Sequence, residues 1–109
     1  MTTPEGKIKK KLDTMLKLKK NRGVWYFSPQ AGPFGRSGVP DRIVCACGVF
    51  IGIEVKANSK RPMTALQQQC SEKIEKAGGR FFLVHDVESI AEVEKFINKA
   101  IEGRLHASA

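Results

Sequence analysis

Two short segments, Val39-Pro40-Asp41 and Ile53-Glu54-Val55-Lys56, carry acidic residues thirteen positions apart and hold the side chains of this chain best suited to chemistry. Two carboxylates brought together grip a hard divalent cation such as Mg2+ or Mn2+, with water and phosphate oxygens completing its shell. A cation held that way lowers the pKa of bound water and neutralises charge developing on a phosphoryl group, the chemistry of metal-dependent phosphodiester hydrolysis. Asp41 and Glu54 are the candidate ligands, and the backbone carbonyl of Ile53 is a third. Lys56, a compact cation beside them, would stabilise the pentacovalent anion or position the attacking water. Taken singly, each of these residues reads as half of a surface ion pair worth under about 1 kcal/mol. The set points to a site because it lies in a basic chain and beside a hydrophobic hairpin.

That hairpin must do the positioning. From Arg42 to Val55 the chain is mostly Ile, Val, Phe, Ala and Cys, broken by Cys47-Gly48 and Gly52, as expected of two strands joined by a tight turn. With Cys47-Gly48 as a two-residue loop, Asp41 falls directly opposite Glu54. Opposed residues share a face with Cβ atoms roughly 4.5–5.5 Å apart. Lys56, two residues on, points the same way. The other face collects Val44, Ala46, Val49, Ile51, Ile53 and Val55 for the core, with Arg42 at its end.

Gly38-Val39-Pro40-Asp41, then Glu54-Val55-Lys56, then Thr64-Ala65-Leu66-Gln67 resembles, in order and spacing, the VRR-NUC branch of the PD-(D/E)XK nuclease superfamily, over roughly residues 5–85. The resemblance implies a Mg2+- or Mn2+-dependent DNA nuclease with a restriction-endonuclease-like core. It puts Asp41, Glu54 and Lys56 on metal-binding and catalytic positions. It also puts Gln67 where an amide supports the site, and Glu5 where many members carry an acid on the first helix. The stand-alone, phage-type members it resembles imply a homodimer that cuts branched DNA such as a Holliday junction. Local physics offers plainer readings of two of these residues: an acid near a helix start suits the helix dipole, and Thr64-x-x-Gln67 is a capping box.

Length and charge bound the rest. The 109 residues make one domain, 1–109, with no apolar run long enough to span a membrane and no cleavable leader, so the cytoplasm of a bacterium or phage-infected cell is expected. Cys45, Cys47 and Cys70 read as reduced, mostly buried thiols that do not share a zinc; His85 and His106 lack partners at ligand spacing. The net charge of +8 is uneven: residues 1–22 carry a net +6, residues 23–63 a net +3 and residues 64–109 a net −1. The basic half is the half with the carboxylates, and such a field attracts phosphate backbones. Lys7, Lys11, Arg36, Lys60 and Arg61 are the candidate DNA contacts. A basic module that binds nucleic acid without cleaving it is the alternative, and an RNA substrate a weaker one, since nothing here reads a 2′-hydroxyl.

Periodicity supplies the remaining elements. Thr3-Pro4 opens a helix with Ile8, Leu12, Met15 and Leu16 on one face, ending near Asn21-Arg22-Gly23. Val24–Phe27 is a strand whose aromatics are expected in the core. Residues 28–38 form a loop, read as a flap over substrate that carries Arg36. A second helix runs from Thr64 to Ala77 with the stripe Leu66, Cys70, Ile74 and Ala77. A fourth strand spans Arg80 to His85, and a third helix begins at Asp86 or Ser89, with Ile90, Val93, Ile97 and Ile101 facing the core. The expected class is α/β, order αβββαβα, with a mixed four-stranded sheet flanked by helices.

Overall fold

The first helix, α1 (Pro4–Leu18), starts as its sequence dictates: the Thr3 hydroxyl accepts from the Gly6 N–H at 3.0 Å and Pro4 occupies the first turn. A computed structural model describes residues 3–30 and 37–103; Arg36 and most of the expected flap, with His106, lie outside them. After α1 a single 3-10 turn, Lys20–Arg22, leads into β1 (Val24–Phe27). Then come β2 (Arg42–Ala46), β3 (Val49–Val55), α2 (Ala65–Lys76), β4 (Arg80–Val84) and α3 (Val87–Ile101). The order is αβββαβα. The strands form one sheet, β1-β2-β3-β4, antiparallel except for the parallel β3–β4 pair.

Cys47 and Gly48 both take positive φ, 50° and 87°, the conformation of a two-residue I′ turn. The ladder runs from Ala46↔Val49 to Arg42↔Ile53, so the expected register holds and the next pair outward is Asp41 with Glu54. Of the two starts weighed for α3, the structure has Asp86 as the cap: its side chain accepts from the Ser89 N–H at 2.8 Å, and the Ser89 hydroxyl accepts in return from the Asp86 N–H at 3.1 Å.

One face of the sheet makes the core. Val24, Val44, Ala46, Ile51, Ile53, Val55 and Val84 pack with Leu12 and Leu16 of α1 and with Ile90, Val93, Ile97 and Ala100 of α3. Burying each large aliphatic side chain favours folding by about 1.5–3 kcal/mol. Arg42 intrudes at the edge of this layer, where Asp13 of α1 neutralises it in a bidentate pair: Nε to Oδ1 at 2.7 Å and Nη2 to Oδ2 at 3.0 Å.

The second face departs from expectation. It is only half covered, by α2, and of the helical stripe just described Leu66 is 52% exposed while Cys70 and Ile74 are half-buried. The stripe lines an open apolar hollow of about 530 Å3 with Val39 and Phe50, and Ser71 is the one buried residue of α2. β1 lies at the far edge of the sheet, away from α2, so its aromatics alternate: Tyr26 is half-buried, but Trp25 is 61% exposed and Phe27 is exposed. The cysteines follow the same logic. Cys45 stands on the uncovered face beside Trp25 and Phe50, Cys47 is exposed in the turn and Cys70 is half-buried, so none of the three thiols has the full burial expected.

Where α2 does cover the sheet, the fit is close. A Cβ added to Gly52 would stand 2.9 Å from both Ile74 Cδ1 and Pro40 Cγ, so β3 has room only for glycine there. Beyond Gly52 on the same strand, Glu54 is 3% exposed.

Candidate active site

Asp41 follows the buried Pro40 and precedes the first ladder residue of β2, an end position that frees its side chain from strand packing while keeping its backbone fixed. Two contacts fix it. The Arg42 guanidinium donates from Nη1 to the Asp41 carbonyl at 2.8 Å and to the Ser28 hydroxyl at 2.8 Å, while its other edge holds Asp13. The Val55 N–H donates to Asp41 Oδ2 at 2.7 Å. Asp41 thus sits at the junction of α1, β2 and β3.

Glu54 is buried between buried neighbours on β3, and its carboxyl meets Asp41 and Gln67 at the start of α2. Gln67 Nε2 donates to Glu54 Oε2 at 2.9 Å, and Lys56 Nζ lies 3.5 Å from that oxygen. Burial above all, then the Asp41 charge and a hydrogen bond with Asp41, push the Glu54 carboxyl from its ordinary 4.5 up to about 7, against the opposing pull of Lys56. Two carboxyl groups are being held together against their repulsion, with Glu54 keeping its proton to near neutrality.

Lys56 Nζ donates to Gln67 Oε1 at 2.8 Å, so a single amide orients both the acid and the lysine. The same Oε1 accepts from the Thr64 N–H at 2.9 Å, and the Thr64 hydroxyl accepts from the Gln67 N–H at 3.2 Å. Both sequence readings of Gln67 therefore hold at once: it closes the capping box of α2 and reaches the site.

Ile53 is paired with Arg42 in the ladder, which directs its carbonyl to the Arg42 N–H. Val55, two residues on and past the last ladder pair with β2, turns its N–H to Asp41 Oδ2. Glu5 lies one side chain further out. Lys9 bridges it to Asp41, with Nζ 3.2 Å from Glu5 Oε2 and 3.4 Å from Asp41 Oδ1. Partial burial disfavours the Lys9 charge, yet the two carboxylates outweigh it and raise the pKa of the ammonium. Among the described residues no three acidic, histidine or cysteine side chains converge on one point, so Glu5 does not join Asp41 and Glu54 as they stand.

A groove of about 720 Å3 opens beside Lys56, lined by Glu5, Ala57, Asn58 and Arg61 among others, and a smaller hollow of about 220 Å3 reaches Asp41 and Gln67 from the other side. Of the candidate DNA contacts, Arg61 lines the groove and Lys60 is exposed in the same turn. Lys7 and Lys11 line a separate shallow hollow on α1 with Lys10. His85 pairs with Asp86 at 3.1 Å, away from these residues.

No protein-family model matches the sequence, and no curated protein does. A solved structure described as a VRR_NUC domain superposes on 86% of this chain and 97% of its own length, with a TM-score of 0.71 at 24% sequence identity. The chain has the VRR_NUC fold. In this chain the αβββαβα order brings Gln67, at the start of α2, onto Glu54 at the end of the hairpin.

The sequence reading overlooked Lys9 and the Arg42–Asp13 pair. Each left a trace: Lys9 stands four residues after Glu5 on a helix, the spacing of an ion pair, and Arg42 ends an otherwise apolar face, where a buried guanidinium requires an acid.

Proposed function

We propose that this protein is a divalent-cation-dependent DNA endonuclease with Asp41, Glu54 and Lys56 at its catalytic centre. The observation that carries this reading is the geometry at the end of the hairpin: a buried Glu54 carboxyl beside Asp41, with Gln67 Nε2 2.9 Å and Lys56 Nζ 3.5 Å from its Oε2. That donor set suits an oxygen-preferring dication: two opposed carboxylates are hard ligands, and a positive charge between the acids would relieve their repulsion. Mg2+ or Mn2+, when bound, supplies an acidified water and neutralises phosphoryl charge.

The chain's own residues do the rest. Asp41 and Glu54 hold the cation, and Glu5 lies beyond Asp41 on the other side of the Lys9 ammonium. Lys56, its ammonium fixed by Gln67, donates toward the developing phosphoryl charge or holds the attacking water; Gln67 keeps both Lys56 and Glu54 in register. Arg61, Lys60, Lys7 and Lys11 contact backbone phosphates. The substrate is DNA, branched in form, and two copies acting across a two-fold axis would give the paired nicks that resolve a four-way junction.

The test is cleavage of end-labelled four-way junction, flap and linear duplex by the purified protein in Mg2+, Mn2+ and EDTA, with light scattering for its mass. Symmetric incisions in the junction, abolished by EDTA, from a particle twice the chain's mass are expected. Metal-dependent cutting confined to flaps by a monomer would overturn the junction and dimer assignments but keep the nuclease. Binding without cleavage in any metal would favour the non-cleaving module.

A further inference from the structure

Among the described residues, Lys9 is a cation that reaches Asp41 without serving any role assigned above. Its ammonium lies between Asp41 Oδ1 and Glu5 Oε2, at 3.4 and 3.2 Å. The other Asp41 oxygen, Oδ2, already accepts the Val55 N–H at 2.7 Å, a backbone partner that cannot leave without breaking the end of the hairpin. A dication that enters between Asp41 and Glu54 therefore finds Oδ1 the easier oxygen to claim, and Lys9 is what stands on it. An ammonium and a dication on one carboxylate oxygen repel one another. The lysine stem is flexible and only its contacts to two acids hold it, so it is the group that yields. Glu5, one helical turn before it on α1, gives the ammonium a second resting place inside the site.

We propose that Lys9 is a placeholder cation: it holds Asp41 while no metal is bound and withdraws to Glu5 when a divalent cation arrives. The proposal rests on the nuclease reading of the centre. Its immediate consequence is that Lys9 competes with metal, so an empty centre stays charge-balanced at some cost in metal affinity.

Isothermal titration of Mn2+ into the DNA-free protein tests this without reference to cleavage. Lys9→Met should bind Mn2+ about two- to fivefold more tightly than wild type, the scale of losing one competing, partly exposed ion pair. Lys9→Arg, which keeps the charge, should bind as wild type does. Lys10→Met removes the same charge from the adjacent exposed position and should also leave the affinity unchanged. If thermal melting shows Lys9→Met to be unfolded, Lys9→Gln stands in for it with the same expected tightening. Unchanged or weaker Mn2+ binding in the neutral variants would overturn the proposal, as would an equal gain from Lys10→Met. Absence of Mn2+ binding by the wild type would instead overturn the nuclease reading on which it rests.

Discussion

Asp41→Asn and Glu54→Gln each remove a negative charge that faces both the cation and the substrate phosphate, so binding and cleavage should part company. Cleavage should fall by at least about a hundredfold, while affinity for DNA stays equal or rises. Single-turnover rates and binding titrations check this; near wild-type Mg2+-dependent rates in either variant would remove that residue from the centre. Lys56→Ala should lower turnover by roughly a hundredfold with little change in affinity. If salt-dependent binding fell instead and the rate held, Lys56 would be a phosphate anchor. Glu54 also sets a pH dependence. Its folded pKa of about 7 lies above its ordinary 4.5, so in that interval the folded state binds the extra proton, and the metal-free protein loses stability as pH rises through it. Melting in EDTA should give a lower Tm at about pH 8 than at about pH 5, with the difference much reduced in Glu54→Gln, which has no proton to lose.

At the scale of elements, the hairpin was legible because local rules fix it. The Cys47-Gly48 turn sets the register, alternation sets the faces, and together they bring Asp41 to Glu54 without any long-range information. The capping box of α2 was legible for the same reason. What periodicity does not tell is whether anything covers an apolar face. It marked Leu66, Cys70, Ile74, Trp25 and Phe27 as inward, yet a twelve-residue α2 reaches only one side of the four-stranded sheet. Nor could it pair Arg42 with Asp13, twenty-nine residues away, since partners of buried charges are set by packing. The close seat of α2 on β3 makes its own forecast. Gly52→Ala drives a methyl against Pro40 and Ile74, and should cost about 1–3 kcal/mol in denaturant unfolding. Because Pro40 precedes Asp41, cleavage should drop by more than the lost stability explains.

Over the whole molecule, charge and chemistry are polarised together. Residues 1–22 carry a net +6 and residues 64–109 a net −1, so a phosphate backbone should meet α1 and the Lys56 groove before it meets α3. Binding should weaken steeply with salt, and removing Arg61 or Lys7 should each reduce the slope by about one if it touches phosphate. A variant whose slope is unchanged does not make the contact assigned to it. The small buried surface of α2 has a different kind of consequence. α1 buries Leu12, Met15 and Leu16 and α3 buries four residues, whereas α2 buries Ser71 alone and is tied down at its start by Gln67, the residue that grips Glu54 and Lys56. It is the helix that opens most readily by itself, and its amides should exchange with deuterium well before those of its two neighbours. Since opening would carry Gln67 away from the acid and the lysine, the lifetime of the assembled centre is set by the least buried helix in the protein.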